Sequence, residues 1–288
     1  MVKTYKILGG LLLVVVLGVV VHGYFSRHPM AILSPAGPIA QDERNLIYIT
    51  MLLSLLVVVP VFVLLFVISY KYRAGRQQKY TPEVDGNRAI ETVWWTIPTL
   101  LIVVVSILNW TSSYALDPSR ALRSKTAPLT IQVVALQWKW LFIYPEQHIA
   151  TVNYVEFPTN TPIDFQITAD APMNSFWIPR LGGQIYAMPG MSTQLHLLAD
   201  KVGDYQGSSA NISGDGFAAM RFTATAVPDT SFKNWVNDAK QWPVALDRAQ
   251  YKALAEPGIS PNVLEYPLAE PSLYDEIVIK YMPLGNIR

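Results

Sequence analysis

The residues whose spacing best matches a metal chemistry lie in GSSANISGDGFAAM, the stretch from Gly207 to Met220. Ser209 and Ser213 are four positions apart, and Phe217 follows four positions later. Cysteines at the two serines and a histidine at Phe217 would add thiolates and an imidazole to the Met220 thioether, and such soft ligands select copper. A serine hydroxyl stays protonated and is a hard, weak donor, so the sequence predicts no copper here. A Gly- and Ser-rich turn between two strands is the plain alternative.

Other ligand chemistry is sparse in this chain. Cysteine is absent, which excludes disulfides, iron–sulfur clusters, thiolate copper sites and covalent haem attachment. The four histidines include no i, i+4 pair, and scattered structural or surface histidines are the simplest interpretation. We find no Ser–His–Asp set, phosphate-binding glycine loop or zinc spacing. The net charge of +1 provides no global basic field, so we expect no nucleic-acid partner.

Two long uncharged stretches predict a membrane anchor. Only 15% of the 288 residues are charged, against about 25% in soluble domains. Leu46–Tyr70 and Val93–Tyr114 are long and apolar enough to cross the lipid bilayer as helices. The loop between them is basic, so the positive-inside rule places it in the cytoplasm and the rest of the chain outside. The basic residues are Lys71, Arg73, Arg76, Lys79 and Arg88.

The remaining sequence predicts three further parts. Residues 1–25 have a basic start and a short apolar run, typical of an export signal or a retained N-terminal anchor. The two-helix hairpin then occupies 26–115. Residues 116–228 alternate with period two between turn formers and predict an antiparallel sandwich or barrel. Its strands are expected at 130–136, 138–144, 152–157, 163–169, 194–198 and 221–227. Residues 229–288 form a small helical extension, with helical patterns at 231–242, 246–258 and 272–282.

Four segments together resemble subunit II of the haem–copper respiratory oxidases. They are NRAIETVWWTIP at 87–98, LQWKWLFIYPE at 136–146, MNSFWIPRLGGQIYAMPG at 173–190 and the loop 207–220. The resemblance covers nearly the whole chain from Leu46 and implies a cupredoxin-like, Greek-key fold for the outer domain. It also implies that the chain is similar to the quinol-oxidase branch, most of all the cytochrome bo type, which has an aromatic-rich C-terminal extension. A lipobox cysteine, frequent in that branch, is absent here.

The resemblance implies that the loop from Gly207 to Met220 corresponds to the copper-binding loop of related proteins. In the copper-bearing branch a histidine stands at Asn174, cysteines at Ser209 and Ser213, and a histidine at Phe217. A glutamate at Asn211 lends its backbone carbonyl there, and Met220 alone keeps its ligand identity. The resemblance therefore implies a copper site that has been lost. We expect the polar residues among these positions to hydrogen-bond to each other, to backbone or to water, because unpaired polar groups there would each cost about 1–3 kcal/mol.

Glu91 has two interpretations. A carboxylate in the first turn of a helix is stabilised by the helix dipole, by about 0.3–1 kcal/mol. The resemblance implies a second role, because the glutamate of this motif lies at the cytoplasmic mouth of a proton-uptake path into the catalytic subunit. A carboxylate partly desolvated at a protein interface is suited to exchanging protons.

Three further residues are candidates for a partner interface. Trp138 and Trp140 are two positions apart and are expected on one face of a strand, either in the core or against the catalytic subunit. Arg180 precedes a segment that faces the catalytic subunit in the family. It would either pair with acidic groups there, such as haem propionates, or remain solvated.

The resemblance implies a structural subunit of a proton-pumping ubiquinol oxidase of the bacterial inner membrane. The chain would hold no redox centre, while the catalytic haem–copper subunit I holds two haems and one copper and takes electrons directly from ubiquinol. Further small membrane subunits would complete the complex, and cytochrome c would not be a partner. The outer domain would be periplasmic. Two alternatives are a copper-bearing cytochrome c oxidase subunit and a free-standing membrane-anchored cupredoxin-like assembly or binding protein.

Overall fold

The computed structural model describes residues 16, 18–20, 23–27, 30–73, 86–124, 126–260 and 262–282. Most of the predicted signal or anchor at 1–25, and the basic residues Arg76 and Lys79, lie outside these ranges. The chain divides into two compact units. One comprises residues 42–120, and the other comprises residues 1–41 together with 121–288.

The first unit contains two long helices, except for the first four residues of the earlier one, which belong to the second unit. Helix α1 spans Pro38–Lys71 and helix α2 spans Arg88–Ala115, so both predicted spans lie within observed helices that are long and apolar enough to cross a membrane. Within residues 46–70 and 93–114 the side chains are mostly exposed and apolar on all sides, as expected for helices solvated by lipid. Hydroxyl groups inside them bond to their own backbone: Thr50 Oγ1 donates to the Leu46 carbonyl and Thr99 Oγ1 to that of Trp95. Such local bonds satisfy hydroxyl groups where water is absent.

The second unit is built on a β-sandwich of eleven named strands. They are β1 Leu129–Leu136, β2 Lys139–Tyr144, β3 Ile149–Val152, β4 Tyr154–Pro158, β5 Ile163–Ala169, β6 Asn174–Trp177, β7 Ile185–Ala187, β8 Thr193–Leu197, β9 Gly203–Ser209, β10 Arg221–Val227 and β11 Leu264–Pro267. One sheet has the order β11-β3-β2-β1-β5-β8, and the other has the order β4-β10-β9-β6-β7. The pairs β1–β5 and β4–β10 are parallel, whereas the sequence predicts antiparallel pairing throughout.

The main core lies between the two sheets. Alternate side chains of each strand point inward, and an aromatic group of Trp140, Phe142, Phe176 and Phe222 fills the centre. Phe176 and Phe222 stack with ring centroids 5.0 Å apart. The fold class expected from the sequence, a helical hairpin, a cupredoxin-like sandwich and a small helical extension, is confirmed in these elements.

One predicted strand, 152–157, is wrong in a way that has a clear cause. Asn153 adopts a left-handed conformation, with φ of 56°, and divides the segment into β3 and β4. Asparagine tolerates this conformation better than most residues. Because β3 pairs with β2 and β4 pairs with β10, the chain changes sheets at this residue. The Asn153 side chain fixes the crossing by accepting from Trp140 N–H at 2.9 Å and donating to the Ser260 carbonyl at 2.8 Å.

The C-terminal extension forms a further layer on the sandwich. Helix α3, Asp229–Ala239, adds Phe232 and Val236 to the main core. Helices α4, Arg248–Ala255, and α5, Leu273–Lys280, cover the outer face of β1, β2 and β3, where a second apolar cluster forms. Strand β11 pairs with β3. The central strands are therefore buried on both faces.

Two charged side chains anchor this layer. Lys139, only 7% exposed, donates from Nζ to the Leu254 and Glu256 carbonyls at 2.7 and 2.8 Å and so caps the C-terminus of α4. Burial lowers the pKa of Lys139. Asp170 accepts from Tyr251, Lys280 and Tyr281 at 2.5–2.7 Å. Burial raises the pKa of Asp170, but these hydrogen bonds outweigh it and hold the pKa below its usual value.

We expect Asp170→Asn to destabilise the sandwich by about 1–3 kcal/mol at pH 7, because a buried carboxylate with three donors becomes a neutral amide. Thermal unfolding of the full chain in detergent measures this, with Asp215→Asn on an exposed loop as the control. The native carboxylate has a lowered pKa, so its contribution is present above about pH 4 and is lost as the pH falls through the folded value. The difference in stability between the two proteins should therefore begin to shrink as the pH falls below about 4, and the two should converge below the lowered folded pKa. Equal stability at pH 7 would contradict the anchoring role.

Candidate functional site

Asn174 and Ser209 lie side by side at the ends of two neighbouring strands. Strand β6 begins at Asn174 and β9 ends at Ser209, and the strands pair antiparallel with Phe176 opposite Ser209. Ser209 Oγ lies 3.1 Å from Asn174 Oδ1, and both residues are buried. A hydroxyl that donates to an amide oxygen satisfies both groups, so the pair needs no ion to be stable.

Asn211 extends this hydrogen-bonded group. Its carbonyl lies 3.1 Å from Ser209 Oγ as a second acceptor for the hydroxyl proton, and its N–H donates back to Ser209 Oγ at 3.4 Å. Its side-chain Nδ2 donates to the Met173 carbonyl at 2.9 Å, while Asn174 Nδ2 donates to the Pro172 carbonyl at 2.7 Å. The predicted hydrogen bonding is therefore confirmed for Asn174, Ser209 and Asn211.

Ser213 is held by its backbone. Its carbonyl accepts from Trp138 Nε1 at 3.3 Å. Its hydroxyl is buried and has no hydrogen-bond partner among the residues that the structure describes. The expectation that the Ser213 hydroxyl bonds to another polar side chain or to backbone is therefore wrong within the described residues, and the side chain does not join the Asn174–Ser209 pair.

Phe217 and Met220 close the loop. Phe217 begins a short 3-10 helix that ends at Ala219, and Met220 N–H donates to the Phe217 carbonyl at 3.0 Å. The Met220 carbonyl then accepts from Ser209 N–H at 3.2 Å. The Met220 side chain is 1% exposed and belongs to the main core. Its thioether therefore has an apolar packing role in this chain.

The expectation that Trp138 and Trp140 share one face of a strand is wrong. Trp138 has a φ of 67°, which places it in the turn before β2. Its indole covers the loop: a Cβ on Gly216 would lie 2.2 Å from Trp138 Cδ2, and one on Gly214 would lie 3.3 Å from Trp138 Cζ2. Trp140 is fully buried in the main core. Trp140 therefore packs between the sheets, and Trp138 clamps the loop.

Arg180 is engaged within its own chain. Its Nε donates to the Ser34 carbonyl at 2.9 Å, and its guanidinium lies over the Tyr205 ring, 5.0 Å from the centroid. Burial raises the pKa of the Tyr205 hydroxyl, and the nearby Arg180 charge opposes that rise. The Arg180 guanidinium therefore has two partners inside this chain. It is not a fully solvated arginine.

Glu91 lies in the first turn of α2. The helix is capped by Asn87, whose Oδ1 accepts from the N–H groups of Ala89 and Ile90 at 3.0 and 3.3 Å. Glu91 N–H donates to the Asn87 carbonyl at 2.9 Å, the first bond of the helix. An open recess of about 380 Å³ borders the carboxylate, lined by Gly86, Asn87, Ile90, Glu91, Trp94 and Trp95.

Six positions, namely Asn174, Ser209, Asn211, Ser213, Phe217 and Met220, do not provide ligands that suit copper. They offer two amides, two hydroxyls, a phenyl ring and one thioether, whereas copper sites of this kind need thiolate and imidazole ligands. The chain contains no cysteine. In the described ranges, no group of three or more His, Asp or Glu side chains could hold a metal ion. The arrangement is chemically suited to a hydrogen-bonded turn rather than to electron transfer.

Sequence reasoning missed three residues that shape this site. Gly214 and Gly216 leave room for the Trp138 indole, and Gly207 leaves room for Phe222, whose ring a Cβ would meet at 2.0 Å. The sequence does show three glycines in a short stretch. However, glycine is equally favoured in a turn and in a strand packed under an aromatic ring, so the glycines alone do not tell these two cases apart. Only the fold shows which rings approach them.

We expect Gly216→Ala to destabilise the sandwich by about 1–3 kcal/mol, because the new methyl group would overlap the Trp138 indole. Thermal unfolding and indole fluorescence measure the effect. Gly258→Ala is the matched control, since a Cβ there meets nothing within 4 Å. Equal melting temperatures for the two variants would show that Trp138 does not clamp the loop.

Sequence models of three protein families match successive parts of the chain. The transmembrane domain of cytochrome c oxidase subunit II matches residues 27–111, and its periplasmic domain matches 146–227. The cytochrome oxidase aromatic-rich motif matches 240–285. Among solved structures, the periplasmic domain of subunit II of cytochrome oxidase from Bradyrhizobium japonicum is 25% identical, with a TM-score of 0.40, over 42% of this chain and 98% of that one.

Three relatives described as ubiquinol oxidase subunit 2 match most of the chain. The cytochrome bo(3) ubiquinol oxidase subunit 2 of Pseudomonas putida is 49% identical over 258 residues, 89% of this chain and 82% of the relative. The corresponding protein of Pseudomonas aeruginosa is 44% identical over 90% of this chain and 78% of its own length. Ubiquinol oxidase subunit 2 of Acetobacter aceti is 44% identical over 87% and 82%. The resemblance inferred from the sequence is confirmed, and the chain belongs to the subunit II family of the haem–copper ubiquinol oxidases.

Proposed function

We propose that this chain is subunit II of a proton-pumping terminal ubiquinol oxidase of an aerobic respiratory chain. Such a complex oxidises ubiquinol in the membrane and reduces oxygen to water. The relatives that are 44–49% identical over about nine-tenths of the chain support this function. The chain's own role is structural and includes part of the proton path, without a redox centre of its own.

The Ser209–Asn174 pair is the observation that carries the choice of electron donor. Two positions that hold copper ligands in the copper-bearing branch here hydrogen-bond to each other in a buried setting. Electrons arriving from a soluble donor such as cytochrome c would need a relay at this position. A lipid-soluble quinol instead passes electrons directly to the catalytic subunit, which holds two haems and one copper. The Ser209–Asn174 hydrogen bond thus supports quinol, rather than a soluble protein, as the electron donor.

The proposed layout assigns one task to each part. Residues 1–25 are an export signal or retained anchor, and 26–115 hold the two membrane helices with their lead-in. Residues 116–228 form the periplasmic cupredoxin-like domain, and 229–288 form its aromatic-rich cover. In the bacterial inner membrane, α1 and α2 brace the catalytic subunit beside further small membrane subunits. Lys71, Arg73 and Arg88 at the helix ends support a cytoplasmic connection between them.

Glu91 is our candidate for proton uptake. Its carboxylate is exposed beside an open recess, and the Asn87 cap holds it in the first helical turn. Trp94 and Trp95 lie on the same recess and are 64% and 70% exposed, so a partner that covered them would also enclose the carboxylate. A carboxylate at such a boundary is suited to exchanging protons between water and the next acceptor.

We expect Glu91→Gln to lower the turnover of the assembled oxidase by about tenfold or more, because the amide keeps the size but carries no exchangeable acid proton. The KM for ubiquinol should stay unchanged, since quinol binds elsewhere. Oxygen consumption by the purified complex measures both quantities, and Asp42→Asn near the start of α1 is the control. Parent-like turnover in both Glu91→Gln and Glu91→Ala would remove Glu91 from the proton path.

We expect mild solubilisation of the membrane to yield this chain together with a haem protein. The complex should contain two haems per copy of this chain and no copper beyond the one on the catalytic subunit. Haem spectra and metal analysis of the purified complex measure this. A haem-free, stable monomer would favour the free-standing assembly protein. Copper bound to the sandwich itself would favour a cytochrome c oxidase.

A further inference from the structure

A short segment ahead of the first membrane helix is built into the β-sandwich. We call residues Ser34–Ala40 the strap. Ala36 is fully buried and belongs to the main core, and Ala40, in the first turn of α1, is 2% exposed. Ile39 packs against the same core. The strap is therefore an internal part of the unit that contains the sandwich.

The backbone of the strap is bonded on both sides. Ala36 N–H donates to the Arg180 carbonyl at 2.8 Å, and the Ala36 carbonyl accepts from Asp200 N–H at 2.9 Å. Ala40 N–H donates to the Leu181 carbonyl at 3.3 Å. The strap thus runs between two loops of the sandwich and satisfies polar groups of each, as an added strand would.

Two cationic side chains hold the strap from the sandwich. Arg180 Nε donates to the Ser34 carbonyl at 2.9 Å, and Lys201 Nζ donates to the Pro35 carbonyl at 3.3 Å. Hydrogen bonds from charged donors are stronger than neutral ones. The stacking of Arg180 on the Tyr205 ring fixes the direction of its guanidinium.

At two positions the contact between the strap and the sandwich has room only for glycine. A Cβ on Gly37 would lie 2.0 Å from the Leu198 carbonyl oxygen, which is backbone and cannot swing away. A Cβ on Gly182 would lie 2.7 Å from Leu197 Cδ2 and 3.2 Å from Ile39 Cγ2. The two glycines, one on each side of the contact, allow a closer approach than any other residue would.

We propose that the strap is a permanent latch between the sandwich and the start of α1, and that the function of Arg180 is to close it. An acidic group of a partner chain could pair with Arg180 only if the guanidinium left the Ser34 carbonyl and the Tyr205 ring. The latch holds Ser34–Ala40, which includes the first turn of α1 from Pro38 onward, against the sandwich. This role depends on neither the substrate nor the haems of the complex.

The absence of cysteine gives a direct test. Ala36→Cys and Ala210→Cys each place a single thiol in the full chain, the first in the strap and the second at an exposed position of the sandwich. In the purified complex, we expect a maleimide to label the strap thiol at least tenfold more slowly. Adding Arg180→Gln should raise the labelling rate of the strap thiol severalfold and leave that of the Ala210→Cys thiol unchanged.

The outcomes separate a latch from a partner contact. Equal labelling rates at the two thiols of the otherwise unaltered chain would overturn the proposal. So would an Arg180→Gln change that shifts the haem spectrum or potential while strap labelling stays slow, because Arg180 would then act on the partner. Should Ala36→Cys fail to fold, hydrogen exchange in the unsubstituted complex gives the same answer. Slow exchange of the Ala36 and Asp200 amides, accelerated by Arg180→Gln, supports the latch, and fast exchange in the parent refutes it.

Discussion

The sandwich depends on covering a sheet that is apolar on both faces. The odd-numbered side chains of β1 face the opposite sheet, while Val134 and Leu136 on the same strand face outward. A strand of this kind is stable only between two apolar layers. The second sheet supplies one layer and the C-terminal extension supplies the other. Lys139 and Asp170 fix that outer layer at separate points, so the extension is part of the core architecture rather than an appendage.

The loop from Gly207 to Met220 is held in place by hydrogen bonds and aromatic packing within the protein. A metal ion would have drawn its ligands together by coordination. Here the Ser209–Asn174 hydrogen bond joins the two strand ends, and the Trp138 indole covers the glycines of the loop. These contacts are local and involve only uncharged groups. The turn is therefore stable against the core without a counter-charge.

Regular strands and membrane helices could be predicted from the sequence because their signals are periodic and local. The strands β1, β2, β5, β8 and β10 were expected to within one residue at each end. Strand β9, GDYQGSS, has the composition of a turn and is a strand because β6 and β10 pair with it on both sides. The positions of Trp138 and Arg180 were not predictable for a similar reason. Their partners, Gly216 and Ser34, are distant in sequence, and only the tertiary fold brings them together.

The pairing of β11 with β3 has a consequence for the biosynthesis of the chain. Strand β3, Ile149–Val152, is at the edge of its sheet until Leu264–Pro267 has left the ribosome. An unpaired apolar edge is a template for pairing with another chain. The nascent sandwich therefore passes through an interval in which it is prone to associate with other chains, and that interval ends only when Leu264–Pro267 is available to pair with β3. A truncation before β11 would make this vulnerable intermediate permanent.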